Sequence, residues 1–268
     1  MRKLRDAIKD NQLEMVKKLL AERANINRRD KDGNTLLFYA KSGEMVRLLV
    51  EHGASVNIHS SDGYLPLHVA ESVEVAEALV SAGADINALD REGLTPLLFG
   101  MTNGVAPEVS IYLVRAGTNL SLLEHPHYRA PLFYSTTRDL AQALIQFGAD
   151  INQRDELGKT PLHSPDIDSS TALLLIESGA DVNAIDNRGE TPLFGTRMHD
   201  AEQIITVLLE NGADPSIENC DGHTAFEELF SSGLWEDADF LQSLYEKRLL
   251  EKLLPDPRPH PGASAPRL

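Results

Sequence analysis

The sequence predicts an all-α repeat solenoid of about eight units, caps included, each unit reading helix, turn, helix and β-hairpin finger. Three observations predict it. The phrase Gly-Ala-Asp-Ile/Val-Asn stands at 83–87, 148–152 and 179–183, with looser copies at 23–27, 53–57, 117–121 and 212–216. Its second residue recurs at Ala24, Ala54, Ala84, Thr118, Ala149, Ala180 and Ala213, at intervals of 30 to 34. A second phrase, Thr-Pro-Leu-Phe or Thr-Pro-Leu-His in its fullest copies, follows about a dozen residues behind, starting at Thr35, Leu65, Thr95, Ala130, Thr160, Thr191 and Thr224. Between the two lie Asp-x-x-Gly elements such as Asp30–Gly33, Asp90–Gly93, Asp155–Gly158 and Asp186–Gly189, turn residues at turn spacing.

Each part of the unit has a local reason. Residues 4–20 interleave Arg5, Lys9, Asp10, Lys17 and Lys18 with Leu4, Ile8, Leu13, Val16 and Leu20, the pattern of an amphipathic cap for the start of the stack. Within the repeats, Thr95, Thr160 and Thr191 are helix N-cap candidates, followed by Pro at the first helical position, where no amide bond is lost. A second helix follows with apolar residues at helical spacing, as in Met45, Val46, Leu48 and Leu49. Gly53, Gly83, Gly148, Gly179 and Gly212 stand where that helix must stop in a left-handed residue. Trp235–Leu253 is a long helical stretch that closes the far end, and the Pro-rich 255–268 is expected to be disordered. The organisation is therefore an N-terminal capping repeat (1–30), repeats (31–218), a C-terminal capping repeat (219–254) and a tail (255–268).

The two coupled phrases resemble the ankyrin repeat, whose period is near 33 and whose signature contains T-P-L-H-x-A. The resemblance covers residues 4–253. Several units are shorter than the family's: 18 residues separate Thr35 from Gly53, Leu65 from Gly83 and Ala130 from Gly148, while 21 separate Thr191 from Gly212. The finger phrases are intact, so the missing residues fall in the helix pair or its connection. Such short units look like those of bacterial ankyrin proteins. The irregular stretch is 100–130, where Thr102–Pro107 lengthens a loop and 122–129 lacks the turn Gly and carries Pro126, His125, His127 and Tyr128. Places where a chain breaks its own local rule are often functional or strained.

Charge is uneven. The chain carries a net −16, yet residues 1–30 hold nine Lys/Arg against five Asp/Glu, and residues 31–254 hold fourteen against thirty-five. That field disfavours nucleic acid and anionic membranes and steers basic partners inward. No apolar run approaches the length of a membrane span. Met1–Asp6 lead into a charged helix rather than a signal peptide, and Cys220 is the single cysteine, so a reducing cytoplasmic setting is expected.

Signals for chemistry are poor: there is no phosphate loop, no H-E-x-x-H and no Cys-x-x-Cys. Glu124, His125 and His127 are the best metal-ligand candidates, with Pro126 arguing against a regular edge strand. Asp166 and Asp168 flank Ile167, where capping of the next helix by Asp168 or Ser169 is the simpler reading. The resemblance implies that His68 and His163 bond neighbouring fingers, and that partners bind a concave face of finger tips and first helices. Carried onto this chain, the tips are Lys31, Asp32 and Asn34; Ser61, Asp62 and Tyr64; Arg91, Glu92 and Leu94; Glu156, Leu157 and Lys159; and Asn187, Arg188 and Glu190. His125, His127 and Tyr128 join them, with Tyr64, Leu94 and Leu157 as exposed anchors and Lys41, Glu71, Met101, Thr136 and Arg197 on the helix side. The expected function is a non-catalytic module, monomeric when free and without cofactor, that binds a basic protein, for instance as a bacterial immunity or inhibitor protein. The alternatives are a secreted bacterial effector binding host proteins, or a metal-dependent enzyme using residues 124–128.

Overall fold

The computed structural model describes residues 2–21, 25–121, 129–196 and 201–253. It is all-helical, and among the described residues no segment is a strand. Two helices, α1 (Arg2–Lys9) and α2 (Leu13–Leu20), open the chain. The repeats follow with α3 (Gly43–Glu51), α4 (Val73–Ser81), α5 (Pro96–Thr102), α6 (Pro107–Arg115), α7 (Arg138–Gln146), α8 (Ser169–Glu177) and α9 (Ala201–Glu210), and the chain continues into α10 (Ala225–Ser231) and α11 (Trp235–Leu253).

The shortening predicted from the intervals is confined to the first helix of each unit. The second helices α3, α4, α7 and α8 all keep nine residues, as does α6 in the longer unit. The first helices shrink to single 3-10 turns at Leu36–Tyr39, Pro131–Tyr134 and Pro161–His163. The backbone turns extended directly afterwards, at Ala40 (ψ 127°) and Ser164 (ψ 128°), leaving no room for a further i→i−4 bond. In the longest interval the same position carries a full helix, α5, capped by Thr95, whose side chain accepts from the Leu98 N–H. The second helices start at side-chain caps too: Ser42, Ser72, Thr137 and Asp168 accept from the N–H three residues on. Asp168 thus caps a helix as expected, and burial's upward pull on its carboxyl is outweighed by bonds from Thr171 and Ser170 and by Arg138, which hold it below the usual range.

Packing follows from two leucine rows. Leu37, Leu67, Leu97, Leu132, Leu162 and Leu193, each two residues into the second phrase, are at most 4% exposed. Leu49, Leu79, Leu113, Leu144, Leu175 and Leu208, each four residues before a phrase glycine, are at most 1% exposed. They lie in one continuous core running the length of the stack. Second helices pack in chain order, α3 on α4, α4 on α6, α6 on α7, α7 on α8 and α8 on α9, with α11 closing on α9. First-helix turns form a parallel row beside them. Burying each such leucine contributes about 2 kcal/mol.

The final Asn of the recurring phrase ties each unit to the next. Asn27 Nδ2 donates to the Gly53 carbonyl at 2.9 Å, and its Oδ1 accepts from the Ser55 N–H at 2.8 Å. Asn57 makes the same pair with Gly83 and Asp85, Asn152 with Gly179 and Asp181, and Asn183 with Gly212 and Asp214. Asn87 Oδ1 accepts from Asn119. At Ser121 the phrase has no Asn, and among the described residues no such bridge reaches Gly148 or Asp150.

Candidate functional site

The fingers are closed turns rather than the extended hairpins expected. In the first, the Asp30 N–H donates to the Asn34 carbonyl at 2.9 Å and the Gly33 N–H to the Asp30 carbonyl at 3.1 Å. Asp30 Oδ1 accepts from the N–H groups of both Asp32 and Asn34. Asp90, Asp155, Asp186 and Asn219 repeat this arrangement. The side chain therefore supplies the bonds that a partner strand would supply in a sheet. Fingers then link tip to tip: Ser61 N–H to Asp32 O at 2.9 Å, Arg91 to Asp62 at 3.4 Å, Asn187 to Leu157 at 2.9 Å and Cys220 to Arg188 at 2.8 Å. Glycine is needed at the turn for two reasons. Gly158 has φ +75°, and a Cβ there would lie 2.5 Å from Asn187 Oδ1 and 3.0 Å from the Asn187 amide nitrogen.

This geometry divides the expected tip residues in a regular way. The first two of each set face solvent: Lys31 and Asp32, Ser61 and Asp62, Arg91 and Glu92, Glu156 and Leu157, Asn187 and Arg188. The third follows the turn glycine and its backbone is tied back to the first finger residue, so its side chain points toward the helix row. Asn34, Tyr64 and Lys159 are half-buried, while Leu94 is 2% and Glu190 7% exposed. The expectation of exposed anchors at Leu94 and Tyr64 is corrected accordingly. Leu94 is part of the interior, and the Tyr64 ring stands edge-on to Phe99 at 4.9 Å between centroids. Burial and then Asp90, Glu92 and Asp62 raise the pKa of the Tyr64 hydroxyl. Lys159 and Glu190 belong to an ion-pair chain: Lys159 Nζ lies 3.7 Å from Asp186 and 3.9 Å from Glu190, and Arg188 reaches Glu190 at 3.3 Å and Asp221 at 3.9 Å. Leu157 remains an exposed apolar tip at 56%. On the helix side Lys41, Glu71 and Thr136 are exposed and Met101 is half-buried. Glu124, His125, His127, Tyr128 and Arg197, like the tail 255–268, lie outside the described residues.

His68 and His163 are structural bridges. His163 Nδ1 accepts from the Thr160 N–H at 3.0 Å, and Nε2 donates to the Glu190 carbonyl of the next finger at 3.0 Å. His68 does the same with Leu65 and Leu94. Burial lowers both pKa values, against smaller opposing effects of the carbonyls. Phe133 and Phe194 fill the equivalent place as buried apolar groups. Cys220 is exposed at a finger turn. Among the described residues no three His, Cys, Asp or Glu side chains converge as a metal set, and no helix is long and apolar enough to cross a membrane.

Sequence reasoning missed a cleft of about 340 Å³ at the start of the stack, where α1 meets the first finger. Arg2, Arg5, Arg28, Arg29 and Lys31 line it, with Asp30 and Tyr39. The Tyr39 hydroxyl donates to Asp30 Oδ2, and Arg5 lies 3.5 Å from the same oxygen. Burial favours a protonated Asp30, but bonds from Tyr39, Asn34 and Asp32, with Arg5 nearby, hold its carboxyl below the usual range. A second cleft of about 520 Å³ shares Tyr39 and continues past Phe38, Lys41, Val69 and Glu71. The Arg28-Arg29 pair is the visible signal, within residues 1–30 whose amphipathic pattern indicates only a cap.

Repeated helix pairs joined by closed fingers, Asn bridges and leucine rows define a stacked-repeat solenoid. Residues 4–90 match the family model for ankyrin repeats, in three copies. That stretch is similar to ankyrin repeats, and beyond it the same closed finger turn recurs among the described residues at Asp155, Asp186 and Asn219. Ankyrin repeats are generally protein–protein interaction modules. No curated protein matches the chain.

Proposed function

We propose that this chain is a non-catalytic binding module whose finger-and-turn face, the concave face of an ankyrin stack, takes a protein with a basic surface. The observation that carries it is the register of exposed tip pairs, one per described finger, from Lys31 and Asp32 to Arg91 and Glu92 and again from Glu156 and Leu157 to Asn187 and Arg188, each run held by finger-to-finger bonds. A row of side chains fixed at repeat spacing presents preorganised contacts, which lowers the ordering cost of binding. The excess of acid over base in residues 31–254 favours a basic partner through steering and complementarity. Masking or inhibiting such a protein within the cytoplasm is the role this charge suits.

The test is affinity capture from the native cell, followed by quantitative binding of the captured partner to variants. Asp62→Lys with Leu157→Asp alters two exposed tips and is expected to weaken binding about tenfold or more. Glu77→Lys on the outer helix α4 serves as the control and should leave binding near wild type. Unchanged thermal unfolding would show that both variants stay folded. Equal binding by the tip variant and the control would overturn the assignment of the face.

A further inference from the structure

The first cleft has the wrong sign for a basic partner. Five cationic side chains line it against one carboxylate, and that carboxylate is already engaged by Tyr39, by its own finger and by Arg5. Arg29 is committed as well, since its guanidinium donates to the Gly33 and His59 carbonyls. Arg2, Arg28 and Lys31 are in surplus. Among the described residues Arg2 reaches only Asp6, at 4.0 Å, with its side chain 91% exposed. Arg28 and Lys31 are exposed and form no ion pair or side-chain hydrogen bond among the described residues. Arg5 Nε is buried without a hydrogen-bond partner. Arg5 and Lys9 both stand over the Tyr39 ring, at 5.7 and 4.5 Å from its centroid, so positive charge continues past Tyr39 into the second cleft, where Lys9 and Lys41 outnumber Glu71 beside apolar Phe38 and Val69.

We propose that these joined clefts are a docking site for an acidic peptide segment of a partner protein. Carboxylates sit among Arg2, Arg28 and Lys31, and an apolar side chain follows along Tyr39 to Phe38 and Val69. An extended nucleic acid fits less well, because the surface beyond Lys31 turns acidic at Asp32 and Asp62. The cleft is sized for a few side chains, and charge complementarity of this kind acts mainly through orientation and rate of encounter. The proposal uses the finger-face reading in choosing a peptide as occupant, and it gives the partner a polarity: an acidic segment at the first finger, basic surface over the later ones.

Fluorescence anisotropy with a labelled peptide of sequence Glu-Glu-Asp-Glu-Leu-Glu tests it, in low salt where charge contacts are least screened. The expected result is saturable binding by the full chain, weakened about tenfold by Arg28→Ser with Lys31→Ser, and no binding of a Lys-for-acid control peptide. Both residues are exposed and unbridged among the described residues, so the double variant should melt with the wild type. Equal affinity for the double variant would overturn the proposal. So would displacement of the peptide by inorganic phosphate or a short RNA at lower concentration than by unlabelled peptide. Failure here with the Asp62 and Leu157 effect intact removes the acidic site alone; success here without that effect removes the finger-face reading.

Discussion

His163 shows at a single residue how this chain makes an interface from a polar group. Its ring joins the cap of its own turn to the next finger, and burial keeps it neutral. Its pKa in the folded state lies below the unfolded value near 6.5, so the unfolded chain takes up the extra proton first. The stability contributed by neutral His163 and His68 is full above that value and declines as pH falls from it through the folded value. The chain itself supplies the informative substitution, since Phe133 and Phe194 occupy the same place. His163→Phe should cost about 1–2 kcal/mol at neutral pH by stranding the Thr160 N–H and the Glu190 carbonyl. Together with His68→Phe it should flatten the loss of stability as pH falls below about 6.5. Urea unfolding across that range measures both; an undiminished acid slope in the double variant would place the proton uptake elsewhere. The bridge itself was legible from the Thr-Pro-Leu-His phrase. The inward turn of Leu94 and Glu190 was not, because their sets are judged by sequence position whereas the closed Asp turn decides which way the third side chain points.

At the scale of one unit, the phrase that marks the period also makes the joint. Its Asn donates to a glycine carbonyl and accepts from an amide of the following copy, two bonds that fix the spacing between helix pairs. The phrase, the glycine stops and the order of helices could be read directly from residues, because each has a local cause. Which helix absorbs the missing residues could not, since that depends on where the chain must extend to reach the next second helix, as at Ala40 and Ser164. The Asn is replaced at Ser121 and at Ser216, and Ser121 is the one of the two with a further copy of the phrase to join, where the joint is missing among the described residues. Ser121→Asn is therefore expected to stabilise the protein by about 1 kcal/mol, the net worth of one good hydrogen bond with some gain from its companion. Asn152→Ala should have the opposite sign and a similar or larger size, because it removes both bonds of an existing bridge. Denaturant unfolding of both variants decides the matter, and destabilisation by Ser121→Asn would mean that the interval there cannot accept the bridge.

Over the whole molecule, stability accrues from one interface to the next rather than from a single centre. The core is continuous, yet the second helices of the repeats pack one on the next in chain order. With the Asn joint absent at Ser121, the units before and after it lack, among the described residues, the Asn bonds that join the other described pairs along 27–214. Leu144 lies just beyond that gap, fully buried in α7, and Leu144→Ala should cost about 3 kcal/mol through lost burial and the cavity left behind. The distribution of that cost is the sharper expectation. Native-state hydrogen exchange should show protection falling in α7 and its neighbour α8, while amides of α3 and α4, on the other side of the gap, keep wild-type values. A uniform fall from α3 to α9 would instead mean that the stack opens as one cooperative body and that the missing joint has no mechanical consequence. A localised fall would mean that the acidic later fingers can loosen while the cationic first cleft stays formed, so that the two ends of the proposed partner surface are separable in stability as they are in charge.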